Sequence, residues 1–221
     1  MMKQGAIFDM DGLMFDTEAI WQEGWRIYAK EYGYEPSAEF GRKISGTSGE
    51  IMREVVRTYY PRVDTDEFIS SARGYVDDCL SQSVPVKEGL IEILELFKNN
   101  GVRMAVASSS RKERIRQNLA MTNTLEYFDA VVSGQEIQNG KPEPDIFLAA
   151  AEQLSLPPQD CYVLEDSFGG VQAGHAAGCY TIMVPDQLAP TPEIRALANA
   201  VYSSLSEAAA ELSRQTSTKQ I

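Results

Sequence analysis

Histidine is almost missing from this chain: His175 is the only one in 221 residues. That scarcity excludes a His-rich zinc site. His175 lies in a glycine- and alanine-rich stretch, Gly170 to Gly178, and reads as a helix residue with an ordinary surface or packing role. Cysteine is also sparse. Cys79, Cys161 and Cys179 are odd in number and lack CxxC spacing, so they read as reduced, mostly buried thiols of a cytoplasmic protein. No apolar run reaches the roughly 18 residues of a membrane span, and Met1-Met2-Lys3-Gln4 does not resemble a signal peptide. Positive charge is short as well: 20 Lys and Arg stand against 32 Asp and Glu, a net charge of −12. Nucleic acid and anionic membrane are therefore not expected as partners. The same excess repels a free anionic substrate, so a phosphate or carboxylate ligand needs local positive charge or a metal. Chemistry here has to run on carboxylates, hydroxyls, lysine and a metal. The length suits one large or two small domains, and a monomer is the default expectation.

Beyond residue 85, short β-rich runs alternate with longer helical patterns. Leu90, Ile93, Leu94 and Phe97 recur at helical spacing within 86–100, and Gly101 supplies the stop. Strands are expected over 102–107, 128–132, 161–164 and 180–184, and helices over 111–120, 144–154 and 168–177. This alternation predicts an α/β fold, a Rossmann-like doubly wound parallel sheet with helices on both faces. Ligands in such sheets sit at the carboxyl ends of the strands, where strand order reverses. Residues 17–83 break the rhythm. Helices are expected over 18–31, from a Ser48 cap through Thr58, and from Asp64 or Thr65 through Ser81, with Pro36, Pro61 and Pro85 at the joins. The expected organisation is thus an α/β core formed by 1–16 and 84–221, with a small α-helical domain, 17–83, inserted between two crossings that make a natural hinge.

Four strand ends carry polar groups. Ala6-Ile7-Phe8 runs into Asp9-Met10-Asp11-Gly12. Carboxylates near a core are costly unless a metal or counter-charge neutralises them, and one beside a cation is also a candidate nucleophile. The plainer alternative is a solvated turn with Gly12 at positive φ. Ser108, Ser109 and Ser110 follow the strand ending at Ala107. Lys141 lies in Gly140-Lys141-Pro142-Glu143-Pro144-Asp145, and Glu165-Asp166 follows Leu164. Each has a plain alternative as well: Ser110 as a helix cap, Lys141 as a solvated loop residue, Asp166 or Ser167 as a cap for the helix starting at Phe168. Parallel strands, however, would bring all of them to one sheet edge. Several carboxylates without histidine or cysteine suit a hard cation with oxygen ligands, Mg²⁺. A hydroxyl and a lysine complete a cradle for phosphate oxygens. That combination favours phosphoryl transfer.

Taken in order, these segments resemble the motif set of the haloacid dehalogenase superfamily, over nearly the whole chain and with the helical insertion where that family carries its first-type cap. The branch most resembled is that of sugar-phosphate phosphatases and β-phosphoglucomutase. The resemblance implies Asp9 as nucleophile forming an aspartyl-phosphate, and Asp11 as the acid that protonates the leaving oxygen and later takes a proton from water. It implies Mg²⁺ held by Asp9, the main-chain carbonyl of Asp11 and Asp166, with Glu165 close by or acting through water. It implies Ser108, the Ser109 amide and Lys141 on the phosphoryl oxygens.

Two departures separate this chain from the mutase. Trp21 stands where the mutase carries a cap histidine, and Gly49 follows Gly46-Thr47-Ser48 where it carries a phosphate-gripping arginine. Hydrolysis is therefore expected over phosphomutase activity. Trp21, Trp25, Gly46, Thr47 and Ser48 are the candidates for the substrate-facing side of the cap, although tryptophans at i and i+4 suit a cap core equally well. A phospho-accepting signalling domain is the non-enzyme alternative.

Overall fold

Among the described residues six runs form strands: β1 Gly5–Phe8, β2 Arg103–Ser108, β3 Ala130–Ser133, β4 Cys161–Glu165, β5 Tyr180–Met183 and β6 Ala200–Val201. β1, β3 and β4 are buried at every residue. Such double-sided burial is what a parallel strand between two helical layers requires. The structure, a computed structural model, describes residues 2–47 and 49–217. All pairings are parallel, in the order β3-β2-β1-β4-β5-β6. The chain moves outward from β1 to β3, returns to the other side of β1 with β4, and moves outward again. Strand order therefore reverses at β1, flanked by β2 and β4, and a ligand site is expected beyond the carboxyl ends there.

Among the described residues ten α-helices accompany the sheet: α1 Glu18–Glu31, α2 Ala38–Ile44, α3 Gly49–Tyr59, α4 Thr65–Gln82, α5 Leu90–Asn99, α6 Lys112–Met121, α7 Asp145–Gln153, α8 Phe168–Ala176, α9 Pro192–Leu197 and α10 Leu205–Ser217. Successive strand residues face opposite layers. Ile7 packs with Ile146, Phe147 and Ala150 of α7, and Phe8 meets Phe97 of α5 and Phe128 edge-on, at 5.9 and 5.8 Å. α5 buries Leu90, Ile93, Leu94 and Phe97, the residues at helical spacing, and α10 packs on it. Each such side chain contributes roughly 1.5–3 kcal/mol by leaving water.

The chain divides into two compact units, Met1–Phe15 with Val86–Ile221, and Asp16–Pro85. The second has an aromatic core of its own. Trp25 stacks with Phe68 at 5.8 Å and meets Phe40 edge-on, while Tyr60 contacts Phe40 at 4.6 Å. Asp64 caps α4 by accepting from Glu67 N, and Ser37 caps α2 by accepting from Phe40 N.

Several elements differ from expectation. The helix expected from residue 86 starts only at Leu90, because Val86 bridges Phe15 and Lys87 N donates to Met14 O. α2 was not expected: seven residues offer too few periods to register as a helix. Nor was any element expected after residue 184. β6 is two residues at a sheet edge, and α10 shows only a narrow apolar stripe, Leu205, Ala208, Ala209 and Leu212. Ser48, expected to cap α3, lies outside the described residues.

Candidate functional site

Register brings the first carboxylates together. Phe8 pairs with Leu164, and Asp9 N continues that ladder to Leu164 O at 3.0 Å. The next residue on each strand is a carboxylate, Asp9 on one and Glu165 on the other, and neighbouring strands lie about 4.8 Å apart. On the opposite side Phe8 pairs with Val106, so Ser108 follows two residues on. Lys141 enters from the loop between β3 and α7. Its Nζ lies 2.5 Å from Asp9 Oδ1 and 2.5 Å from Glu165 Oε1. The oxygens of Asp9, Glu165 and Asp166 approach within 4.8 Å of one another. Four strand ends and loops expected to converge do so.

Glu165 is fully buried. Its Oε1 accepts from Lys141, and its Oε2 accepts from Asp166 N, Ser167 N and Ser167 Oγ, each at 3.0 Å. Ser167 also caps α8 by accepting from Gly170 N at 3.1 Å. The carboxylate thus sits at the amino end of a helix, where backbone amides and the helix dipole favour negative charge. Helix and carboxylate approach so closely that a Cβ on Gly170 would fall 1.9 Å from Glu165 Cδ. Gly170→Ala is therefore expected to displace Glu165, to destabilise by about 1–3 kcal/mol as overpacking does, and to lower activity. Denaturant unfolding and steady-state turnover check this; an unchanged midpoint would contradict the packing. Gly12 holds a second close approach. Its φ is +90°, as the turn required, and a Cβ there would fall 2.3 Å from Asp166 Oδ2.

Three carboxylates crowd one ammonium, which bonds Asp9 and Glu165, and the charges show it. Burial is the main cause that pushes Asp9 up to about 8; Lys141 pulls it down, and Glu165 and Asp11 push it up. Burial, then the charges of Glu165 and Asp9, holds Asp166 well above the usual carboxylate range. Burial opposes the charge on Lys141, but Asp9 and Glu165 outweigh it and keep the ammonium protonated beyond the ordinary lysine range. With all carboxylates ionised the cluster is short of two positive charges. A divalent cation is the matching complement, and an all-oxygen donor set suits a hard one, Mg²⁺.

Asp11 is not one of the three carboxylates of this cluster. Its Oδ2 accepts from Ser110 Oγ at 2.9 Å and from Ser108 Oγ at 3.4 Å. Ser110 belongs to the hydroxyl run noted in the sequence but was not among the expected site residues, and its plain alternative as a helix cap does not hold. Arg111, not Ser110, holds the cap position of α6, and it makes no side-chain cap bond. Its three-hydroxyl run was the one available signal, since neither spacing nor periodicity marks the third serine. Ser109 follows Ser108 at an exposed position. The remaining candidates belong to the helical unit. Trp25 is 3 % exposed within its core. Trp21 is half-buried and stacked on Trp25 at 5.3 Å. Gly46 is exposed with φ +68°, and Thr47 Oγ1 donates to Ile44 O at 2.6 Å. Ser48 is outside the described residues.

Comparison with known proteins matches this architecture. The family model of haloacid dehalogenase-like hydrolases matches residues 6–184. A phosphorylated carbohydrates phosphatase of Thermotoga maritima is 30% identical over 179 residues, 79% of this chain and 82% of that protein. Hexitol phosphatase B of Escherichia coli is 30% identical over 211 residues, 93% of this chain and 94% of that protein. The crystal structure of a β-phosphoglucomutase of Clostridium difficile shares the fold with a TM-score of 0.79, at 24% identity and over 99% of both chains. The Asp9-x-Asp11 strand end, the Ser108 loop, Lys141 and Glu165-Asp166 all fall inside the matched span, and the chain belongs to the haloacid dehalogenase-like hydrolase family, as an enzyme of its phosphoric monoester hydrolase type.

Proposed function

We propose that the chain is a Mg²⁺-dependent phosphatase that hydrolyses a small phosphorylated carbohydrate through an aspartyl-phosphate on Asp9. The observation that carries this is the single ammonium of Lys141, 2.5 Å from both Asp9 and Glu165, at the point where strand order reverses. Asp9 and Asp166, with the main-chain carbonyl of Asp11, would hold Mg²⁺. When bound, the ion supplies charge neutralisation for the phosphoryl oxygens. Glu165, saturated by Lys141 and the start of α8, keeps the lysine in place.

The residues then act in two steps. Asp9 attacks phosphorus while Ser108, the Ser109 amide and Lys141 hold the phosphoryl oxygens. The ester P–O bond breaks, and Asp11 gives its proton to the departing oxygen. Water next attacks the phosphorus of the aspartyl-phosphate, Asp11 takes a proton from it, and inorganic phosphate leaves with Asp9 restored. The helical unit serves as the cap that selects substrate, with Trp21, Trp25, Gly46, Thr47 and Ser48 as its candidate contacts. The named phosphatase relatives act on phosphorylated carbohydrates and hexitols, which supports a substrate of that class. We take the enzyme to act as a cytoplasmic monomer without nucleic-acid or membrane partners. Among the described residues no helix is long and apolar enough to cross a membrane.

A panel of phosphorylated sugars and polyols, assayed for phosphate release with Mg²⁺, tests the reading. At least one is expected to reach a kcat/KM of about 10⁴ M⁻¹s⁻¹ or more. Phosphate moved between positions of the sugar without net release would instead mark a mutase. Stable phosphorylation without turnover would mark a phospho-accepting domain.

A further inference from the structure

Ser110 is pinned as a part of the site rather than as a helix cap. Ser133, 1 % exposed at the end of β3, donates from Oγ to the Ser110 carbonyl at 2.7 Å. Ser110 N donates to Ser108 Oγ at 3.1 Å. With its backbone held on both sides, Ser110 directs its hydroxyl to Asp11 Oδ2 at 2.9 Å, the same oxygen that Ser108 Oγ reaches at 3.4 Å. The two bonds are not equivalent. Hydroxyl–carboxylate bonds are strongest when short, and 3.4 Å is beyond the usual range for an O–H donor. If Ser108 turns to a substrate phosphoryl oxygen, it gives up the weaker of the two.

We infer that Ser110 is a positioning residue for Asp11: it holds Oδ2 throughout phosphoryl transfer, so that the proton leaves from Oδ1 to the ester oxygen as the P–O bond breaks. The carboxylate formed by that proton loss keeps the Ser110 hydroxyl as its donor. The inference rests on the reading of Asp11 as the acid given above.

Leaving-group chemistry separates this role from phosphate binding. An alkyl phosphate needs its departing alkoxide protonated, whereas a nitrophenolate departs without help. A residue that acts through the acid therefore matters for the first ester and little for the second, while a phosphate-binding or structural residue affects both alike. The test is kcat/KM, which reports the first transfer, for para-nitrophenyl phosphate and for an alkyl phosphomonoester that the enzyme hydrolyses. It is measured on the intact chain, its Ser110→Ala and Ser110→Thr variants, and Asp11→Asn, all with Mg²⁺.

Ser110→Ala is expected to lower the alkyl-to-aryl ratio of kcat/KM about tenfold or more, the size of losing a bond to a charged group, and Ser110→Thr to restore most of it. Asp11→Asn is expected to lower the same ratio further, toward the 10²–10⁴-fold typical of general acids. Equal losses on both esters in Ser110→Ala, or no loss, would overturn the inference while leaving the acid role standing if Asp11→Asn retains its leaving-group dependence. An Asp11→Asn variant without that dependence would remove the acid role itself, and the inference with it. Thermal melts of each variant identify a general loss of fold, and Ser110→Gly, which also lacks the hydroxyl, carries the comparison if alanine does not fold.

Discussion

Asp9→Asn is expected to abolish phosphate release, by about 10⁴-fold or more, as removal of a covalent nucleophile does. The substitution keeps the size of the side chain and changes only its chemistry, since an amide cannot form the acyl phosphate. Lys141 retains Glu165 Oε1 at 2.5 Å, so its ammonium is not left unpaired. The fold should not suffer. Asp9 is buried, and burial is the main cause that opposes its charge. Replacing it with a neutral group of the same shape removes an electrostatic cost, and the melting temperature at neutral pH should be equal or higher. Phosphate release and a thermal melt on the same preparation check both halves. Substantial turnover by a well-folded Asp9→Asn protein would remove Asp9 as nucleophile and end the proposed mechanism.

Withdrawal of divalent metal is expected to silence the enzyme, with Mg²⁺ restoring it, and to leave a protein whose stability depends on pH in a particular direction. The ordinary carboxyl value for Asp9 is 3.8, and in the fold it stands at about 8. Between those values the folded protein holds a proton that the unfolded chain has released. Stability is then fully present below the lower value and declines as pH rises toward the upper one. A cation bound to the same oxygens replaces that proton, and it binds best when the proton has gone. The Mg²⁺-induced rise in melting temperature should therefore be larger near pH 8 than near about pH 5, the direction that linkage requires. Melts with chelator and with Mg²⁺ at the two pH values measure it. Turnover in chelator, or a Mg²⁺ effect that does not change with pH, would contradict a metal site at Asp9 and Asp166.

The polar residues at the strand ends were legible in the sequence. Apolar runs ending in Asp9, Ser108 and Glu165 could be read because burial in a parallel sheet demands unbroken hydrophobicity, and a charge at its end stands out against it. The helical unit was legible because its residues carry a different period. Other features were not. The short α2 and the two-residue β6 hold too little periodic signal. The 3 % exposure of Trp25 reflects a core assembled from α1, α2, α3 and α4, which spacing within one helix cannot report.

By itself, then, the sequence determined the residue types, their order and the parallel class of the sheet, because those follow from local hydrophobicity and turn chemistry. Tertiary structure alone decided the partnerships. Lys141 reaches Asp9 across 132 positions of chain, and Ser110 reaches Asp11 across 99. Such contacts depend on strand order and register, and these are settled by the packing of the whole sheet rather than by any segment of it.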